Sequence, residues 1–197
     1  MDNVPSLGDA LPLVGSDPAW LAVALDDLES VHADHLHCER KAAQSALSLI
    51  RSYPERGDLV SAMARLAHDE TRHVMQVAGL MAQRGQPASY DHGDDYAAAL
   101  RREIRVREPD RLLDRLLVFA IIEGRSAERL GLLAGALDDP RVRDLYAGLA
   151  TAEHRHRDTF LALARDAAPA AWRTRAAELA AIEAGILARR SVVARIH

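Results

Sequence analysis

A chain of 197 residues, 49% hydrophobic but only 4% aromatic, is most simply one domain over residues 1–197, with enough length for a substantial core. A net charge of −4 carries no global signature of a nucleic-acid binder. The single cysteine, Cys38, excludes an internal disulfide and any cysteine-rich zinc or rubredoxin-type site, and the lack of a long apolar run or a basic leader makes the cytoplasm the expected location, with no membrane partner.

Alanine and leucine dominate and β-branched residues are sparse, so the expected class is all-α. Residues 1–16, with Pro5, Gly8, Pro12 and Gly15, read as an irregular lead-in, and Ser16-Asp17-Pro18 as a helix start for a short helix over about 18–25. The next helix runs over about 27–53, with Leu28, His32, His35, Glu39, Ala42, Ala46 and Leu49 inward at spacings of three and four; Pro54 and Gly57 break it. A helix over about 58–84 turns Leu59, Met63, Leu66, Glu70, His73, Val77 and Leu80 inward and stops at Gly85 and Pro87. Residues 85–95 are irregular, and a helical piece is expected over about 94–107. Pro109 restarts a helix over about 109–137, with Leu112, Leu116, Phe119, Glu123, Ala127, Leu130 and Ala134 inward. Asp138-Asp139-Pro140 is a turn and the start of a helix over about 140–166, whose inner face holds Val142, Tyr146, Leu149, Glu153, His156, Phe160 and Leu163. Pro169 opens a last helix to about 190, anchored by Trp172 and Ile186. Two helix pairs joined by one long connection, 85–108, make a ferritin-like four-helix bundle with extra N- and C-terminal helices.

The two pairs are related. Glu39 and Glu123 stand 84 residues apart, and Glu70 and His73 recur 83 residues later as Glu153 and His156. A lone Glu-x-x-His means little in a chain with nine histidines; Glu29 and His32 form a third, accidental match. The register of the repeat, with a lone Glu upstream each time, is what accident does not supply. Residues i and i+3 share a helical face, so each Glu and His aim at one centre. Four inward carboxylates in an apolar core repel one another, and two divalent cations cancel that charge. Carboxylate and imidazole donors suit iron or manganese. The competing reading is a bundle with buried salt bridges, but the inward faces offer no lysine or arginine to make them. The predicted metal ligands are therefore Glu39, Glu70, His73, Glu123, Glu153 and His156.

Around this set, Asp69 is placed to accept the second ring N–H of His156, a bond metal-bound histidines commonly make; its counterpart is Ala152. His35, one turn before Glu39, reads as a proton relay, a substrate contact or a hydrogen-bonded core histidine. Tyr146 reads as packing, Cys38 as a small core residue, and His37, His68, His92, His154 and His197 as surface or incidental residues. The best local basic patch is Arg101, Arg102, Arg105, Arg107, Arg111 and Arg115, interrupted by Glu103, Glu108, Asp110 and Asp114. Its alternative reading is a solvated amphipathic segment.

At Asp34-His35-Leu36-His37-Cys38-Glu39-Arg40-Lys41-Ala42-Ala43, His68-Asp69-Glu70-Thr71-Arg72-His73, Glu123-Gly124-Arg125-Ser126-Ala127-Glu128-Arg129 and Ala152-Glu153-His154-Arg155-His156, the chain resembles the bacterial tRNA hydroxylases of the MiaE type, ferritin-like di-iron monooxygenases, over residues 17–190. The resemblance implies O2-dependent hydroxylation of the isopentenyl tail of 2-methylthio-N6-isopentenyladenosine in tRNA, at two iron ions held by the six residues above. It implies the tRNA anticodon stem-loop as partner, with Arg101, Arg102, Arg105 and Arg111 as candidate RNA contacts. It also implies an external electron-transfer reductase, and a monomer or small oligomer rather than a cage. The alternatives are a ferritin- or rubrerythrin-like iron oxidase or peroxidase, a di-metal oxidase acting on a small molecule such as a fatty aldehyde, and a metal-free bundle.

Overall fold

A computed structural model of the chain describes residues 7–197; the first part of the expected lead-in, residues 1–6, lies outside them. A 3-10 turn at Leu7–Ala10 precedes seven α-helices: α1 (Ala19–Asp26), α2 (Leu28–Ser52), α3 (Gly57–Gln83), α4 (Asp95–Arg102), α5 (Asp110–Ala136), α6 (Pro140–Ala167) and α7 (Trp172–Ala188). No strand occurs among the described residues. Acidic caps set several of the helix starts. Asp27 accepts from the Ser30 amide, Asp94 from Ala97 and Asp139 from Arg141, each at 3.0 Å, so donors that the first turn leaves open are satisfied.

The helical piece expected over 94–107 ends at Arg102. The reason is not local. The Arg105 amide donates to the Asp114 carboxylate of α5 at 2.9 Å, which removes it from any helical ladder. Arg105, Val106, Arg107 and Glu108 are also exposed, so a continued helix would have no face to bury.

The chain divides into two compact units. One comprises the described residues up to Ala19, residues 93–192 and His197. Here α5 and α6 form a hairpin through a three-residue link, with α7 against α5. From Leu112 to Ile121, α5 is buried at every position, the mark of a central rather than a surface helix. Phe119 and Phe160 meet between α5 and α6 with ring centroids 5.5 Å apart. A buried polar network ties the elements together. Glu183 of α7 accepts from Arg125 of α5 (Nε 3.0 Å, Nη2 2.7 Å) and from the Tyr96 hydroxyl of α4 (2.9 Å). Arg125 also bonds Glu128, Ser16 and the Val14 carbonyl, and Arg129 bonds Ser16. Burial, the Glu183 carboxylate and the bond to it push the Tyr96 hydroxyl well above its ordinary range, so it stays the donor. The second unit comprises residues 20–92 and 193–196. In it α2 and α3 form a hairpin around Val31, Ala46, Leu49, Leu59, Met63, Leu66 and Val77. Gly85, at φ +66°, closes α3 in the left-handed conformation that glycine adopts without a Cβ penalty.

Candidate metal centre

Each unit carries one half of the repeated constellation, held in the same way. In the α2–α3 hairpin, Glu39 lies on α2 and Glu70 and His73 on α3; all three are buried and one ligand atom of each lies within 4.8 Å of the others. His73 Nδ1 is 3.3 Å from Glu39 Oε2 and 3.2 Å from Glu70 Oε2. In the α5–α6 hairpin, Glu123 lies on α5 and Glu153 and His156 on α6, again buried and again within 4.8 Å of one another. His156 Nδ1 is 3.3 Å from Glu153 Oε2, matching the spacing of Glu70 and His73. The i, i+3 spacing does in both what helix geometry requires: it puts carboxylate and imidazole on one face, opposite a carboxylate from the partner helix of the hairpin.

The electrostatics of the first triad follow from its packing. Burial works against ionisation of Glu39, but His35, the bond with Glu70 and the bonds from His35 and His73 outweigh it and hold the carboxyl well below its usual range. His35 Nε2 is 2.5 Å from Glu39 Oε1, both groups buried, so His35 orients the carboxylate directly. A carboxylate, a second carboxylate and an imidazole at these separations are a hard-to-borderline O and N donor set, the kind that iron and manganese take. The residues present in each half fit such an ion.

Other residues singled out in the sequence fall in various places. Asp69 faces Arg72 of its own helix at 3.4 Å and is partly exposed. Tyr146 is buried, and Cys38 is a buried thiol whose Sγ lies 3.7 Å from Asp34. His68, His92 and His154 are exposed, and His37 is half-buried. His32 is buried on Gln86 (3.0 Å) while Glu29 is exposed, so that third Glu-x-x-His forms no site. Arg101, Arg102, Arg107 and Arg111 are exposed, Arg115 is buried, and Arg105 is engaged by Asp114 and Asp110.

Two expectations need correcting. His197 is not on the surface: it is buried, 2.8 Å from Ser126 Oγ and 3.3 Å from Asp94, and stacked on Tyr96. No periodicity marks residues 189–197, so only the tertiary structure reveals this. Nor is the interior free of cations, since Arg115, Arg125 and Arg129 of α5 are buried. Arg125 is bonded to Glu128 and Glu183, not to a triad carboxylate. Its partner Glu183 lies in the alanine-rich run of α7, where an acid flanked by Ile182 and Ala184 is the signal the sequence carries.

Helical architecture and a pair of buried Glu/Glu-x-x-His triads define an all-α, ferritin-like carboxylate–histidine protein, and solved structures bear the class out. The structure is similar to "Protein 43 with aldehyde deformylating oxygenase activity" from Synechococcus, with a TM-score of 0.89, 32% identity and 95% of each chain covered. A family model described as tRNA-(MS[2]IO[6]A)-hydroxylase (MiaE) matches residues 11–197. Two curated relatives are named tRNA 2-(methylsulfanyl)-N(6)-isopentenyladenosine(37) hydroxylase. That of Pseudomonas putida is 42% identical over 166 residues, covering 84% of this chain and 80% of its own. That of Salmonella typhimurium is 30% identical over 196 residues, covering 75% and 72%. The chain belongs to the MiaE family of tRNA hydroxylases and is an enzyme of that kind. Among the described residues, no helix is long and apolar enough to cross a membrane.

Proposed function

We propose that the enzyme hydroxylates the isopentenyl group of 2-methylthio-N6-isopentenyladenosine in tRNA with O2 as co-substrate, at two iron ions held by Glu39, Glu70, His73, Glu123, Glu153 and His156. The observation that carries this reading is the recurrence of the same buried triad in both hairpins of a chain that matches the hydroxylase family from residue 11 to 197. Two irons, when bound, supply the reductive activation of O2 that insertion into a carbon–hydrogen bond demands. The chain's own residues do the rest. Buried carboxylates offset the cationic charge, and His35 fixes the rotamer of Glu39 through its 2.5 Å bond. The apolar residues of α5 and α6 around Glu123 and Glu153 keep bulk water away from a reactive oxidant. Hydroxylation consumes O2, two electrons and two protons for each hydroxyl and water formed. With one cysteine and no iron–sulfur motif, the chain takes those electrons from a separate reductase. The exposed guanidinium groups of Arg101, Arg102 and Arg111 are suited to tRNA phosphates, while Arg105, held by Asp114, contributes through the loop it fixes.

The likeness to a protein with aldehyde deformylating activity keeps a second reading, an oxidase of fatty aldehydes, within the test. Nucleoside mass spectrometry of tRNA from a deletion strain should show loss of the hydroxylated nucleoside and accumulation of its isopentenyl precursor. Purified protein should hold about two irons per chain and turn over tRNA, not aldehyde. Unchanged nucleosides would refute the substrate, and Glu70→Ala protein that keeps its iron would refute the ligand assignment.

A further inference from the structure

Phe119 of α5 and Phe160 of α6 meet with ring centroids 5.5 Å apart and planes tilted by 43°. Their places in the sequence tie them to the second triad. Phe119 stands four residues before Glu123, and Phe160 four residues after His156. Positions i and i+4 share a helical face one turn apart. In the α5–α6 hairpin the turn before Glu123 and the turn after His156 lie at the same end, so the two rings form the layer next to the ligands. The layer on the opposite side of Glu123, Glu153 and His156 is furnished by Ala127 and Leu149, each again four residues from a triad carboxylate.

The repeat is kept on one side of the ligands and broken on the other. Ala127 and Leu149 recur as Ala43 and Leu66, but Phe119 and Phe160 stand where the first half has His35 and Val77. His35 is bonded to Glu39 at 2.5 Å. A phenyl ring makes no such bond, so Phe119 has some task other than orienting Glu123. Residual exposure falls on the broken side. Phe119 keeps 8%, Glu123 5% and His156 6%, against 1% for Ala127 and 2% for Leu149. The other apolar residues of α5 from Leu112 to Ile121 keep 2% or less. The way to Glu123 and His156 is therefore past Phe119.

We infer that Phe119, with Phe160 behind it, is the wall on which the isopentenyl tail packs and by which the enzyme selects a tailed adenosine; this rests on the hydroxylase reading above. The tail is all hydrocarbon. It offers nothing to a hydrogen bond, so a protein recognises it only through dispersion and the exclusion of water. A phenyl face beside the ligands supplies both. The imidazole at this place in the first half supplies neither, because its polar edge belongs to a carboxylate. Tilted contact with the buried Phe160 sets the plane of the Phe119 ring, so the tail meets one fixed surface rather than a mobile side chain. A tail held there lies within one helical turn of Glu123 and His156, which places its carbon–hydrogen bonds beside the residues that would hold the metal.

The test uses the full-length, iron-loaded enzyme, without O2 so that nothing turns over, and two synthetic anticodon stem-loops. One carries 2-methylthio-N6-isopentenyladenosine and the other 2-methylthioadenosine, which lacks only the tail. The quantity read is the ratio of the two dissociation constants. Wild type should prefer the tailed stem-loop, and Phe119→Ala should cut that preference roughly tenfold or more. Iron content and affinity for the tail-less stem-loop should not move. Phe119→Leu, a gentler change to the core, should shift the ratio in the same direction, and it is the deciding variant if Phe119→Ala does not fold. Leu149→Ala, on the other side of the ligands, should lower the thermal midpoint and leave the ratio alone. A wild-type ratio in the folded Phe119 variants, or an equal fall in Leu149→Ala, overturns the inference and leaves the tRNA reading standing. So does a wild type that binds both stem-loops equally. A wild type that binds neither overturns both.

Discussion

Asp114 should make the stability of this enzyme fall with acid in a way that one substitution removes. Its side chain is fully buried at the start of α5 and receives five N–H bonds: the Arg105 amide (2.9 Å), Arg105 Nε and Nη2 (2.8 Å each), and Arg175 Nε and Nη2 (2.9 and 3.0 Å). Burial alone would raise its pKa, but the bonds from Arg105 and Arg175 prevail and bring it from 3.8 to about 2. A carboxyl whose folded pKa lies below its unfolded one stabilises the fold above the unfolded value and loses that contribution as pH falls through the folded value. A difference of about 1.8 units corresponds to about 2.5 kcal/mol at pH 7, of which about half is left at pH 3. Asp114→Asn keeps the shape and removes the titration. Urea unfolding of both proteins, followed by circular dichroism, should show a stability gap between wild type and variant that narrows by about 1 kcal/mol from pH 7 to pH 3. A gap that stays constant or widens over that range would refute the reasoning, because it would mean that the carboxylate's charge is not what the two arginines stabilise.

Removing the guanidinium from the Glu183 network by Arg125→Met should cost about 3–5 kcal/mol, since it strands a buried carboxylate; Arg125→Lys should not restore it, having no planar fork to reach Glu183, Glu128 and Val14 together, and thermal unfolding reads both. Gly124→Val should destabilise by about 1–3 kcal/mol because its side chain would displace Leu13. Gly131→Ala on the same helix, exposed and with nothing within 4 Å, should instead stabilise by about 0.5–1 kcal/mol, so denaturant midpoints of the two variants should move in opposite directions. Leu116→Ala, in the fully buried run of α5, should cost about 2–5 kcal/mol in the same assay.

What could be read from the residues was whatever local rules control. The 3.6-residue spacing of Met63, Leu66, Glu70, His73 and Val77 defined one face of α3 because helix geometry alone sets it. Asp139, ahead of Pro140, was legible as a helix start because capping acts over two or three residues. The triads were legible because the chain states them twice. What escaped the sequence depends on partners beyond the reach of helix periodicity, from nine to 71 residues away. Nothing near Arg105 says that its amide belongs to Asp114 and that α4 must therefore stop at Arg102. Nothing in α5 says that Arg125 is buried, since that rests on Glu183, 58 residues later. His197 follows the last helix, beyond any periodic signal, and only the fold sets it against Ser126 and Tyr96.

The continuous burial of α5 also has a kinetic meaning. Amides in a helix covered on every side exchange with solvent only when much of the domain opens, so the backbone that carries Glu123 should be among the slowest-exchanging parts of the molecule, reporting global unfolding. The stretch that presents Tyr90 is fastened by side-chain bonds at Ser89 and Asp91 and has no helical ladder, which puts it at the opposite, fast-exchanging end of that scale. Hydrogen exchange would thus separate the enzyme into a helical core that holds its geometry until the domain opens and a connecting stretch that opens many times before it.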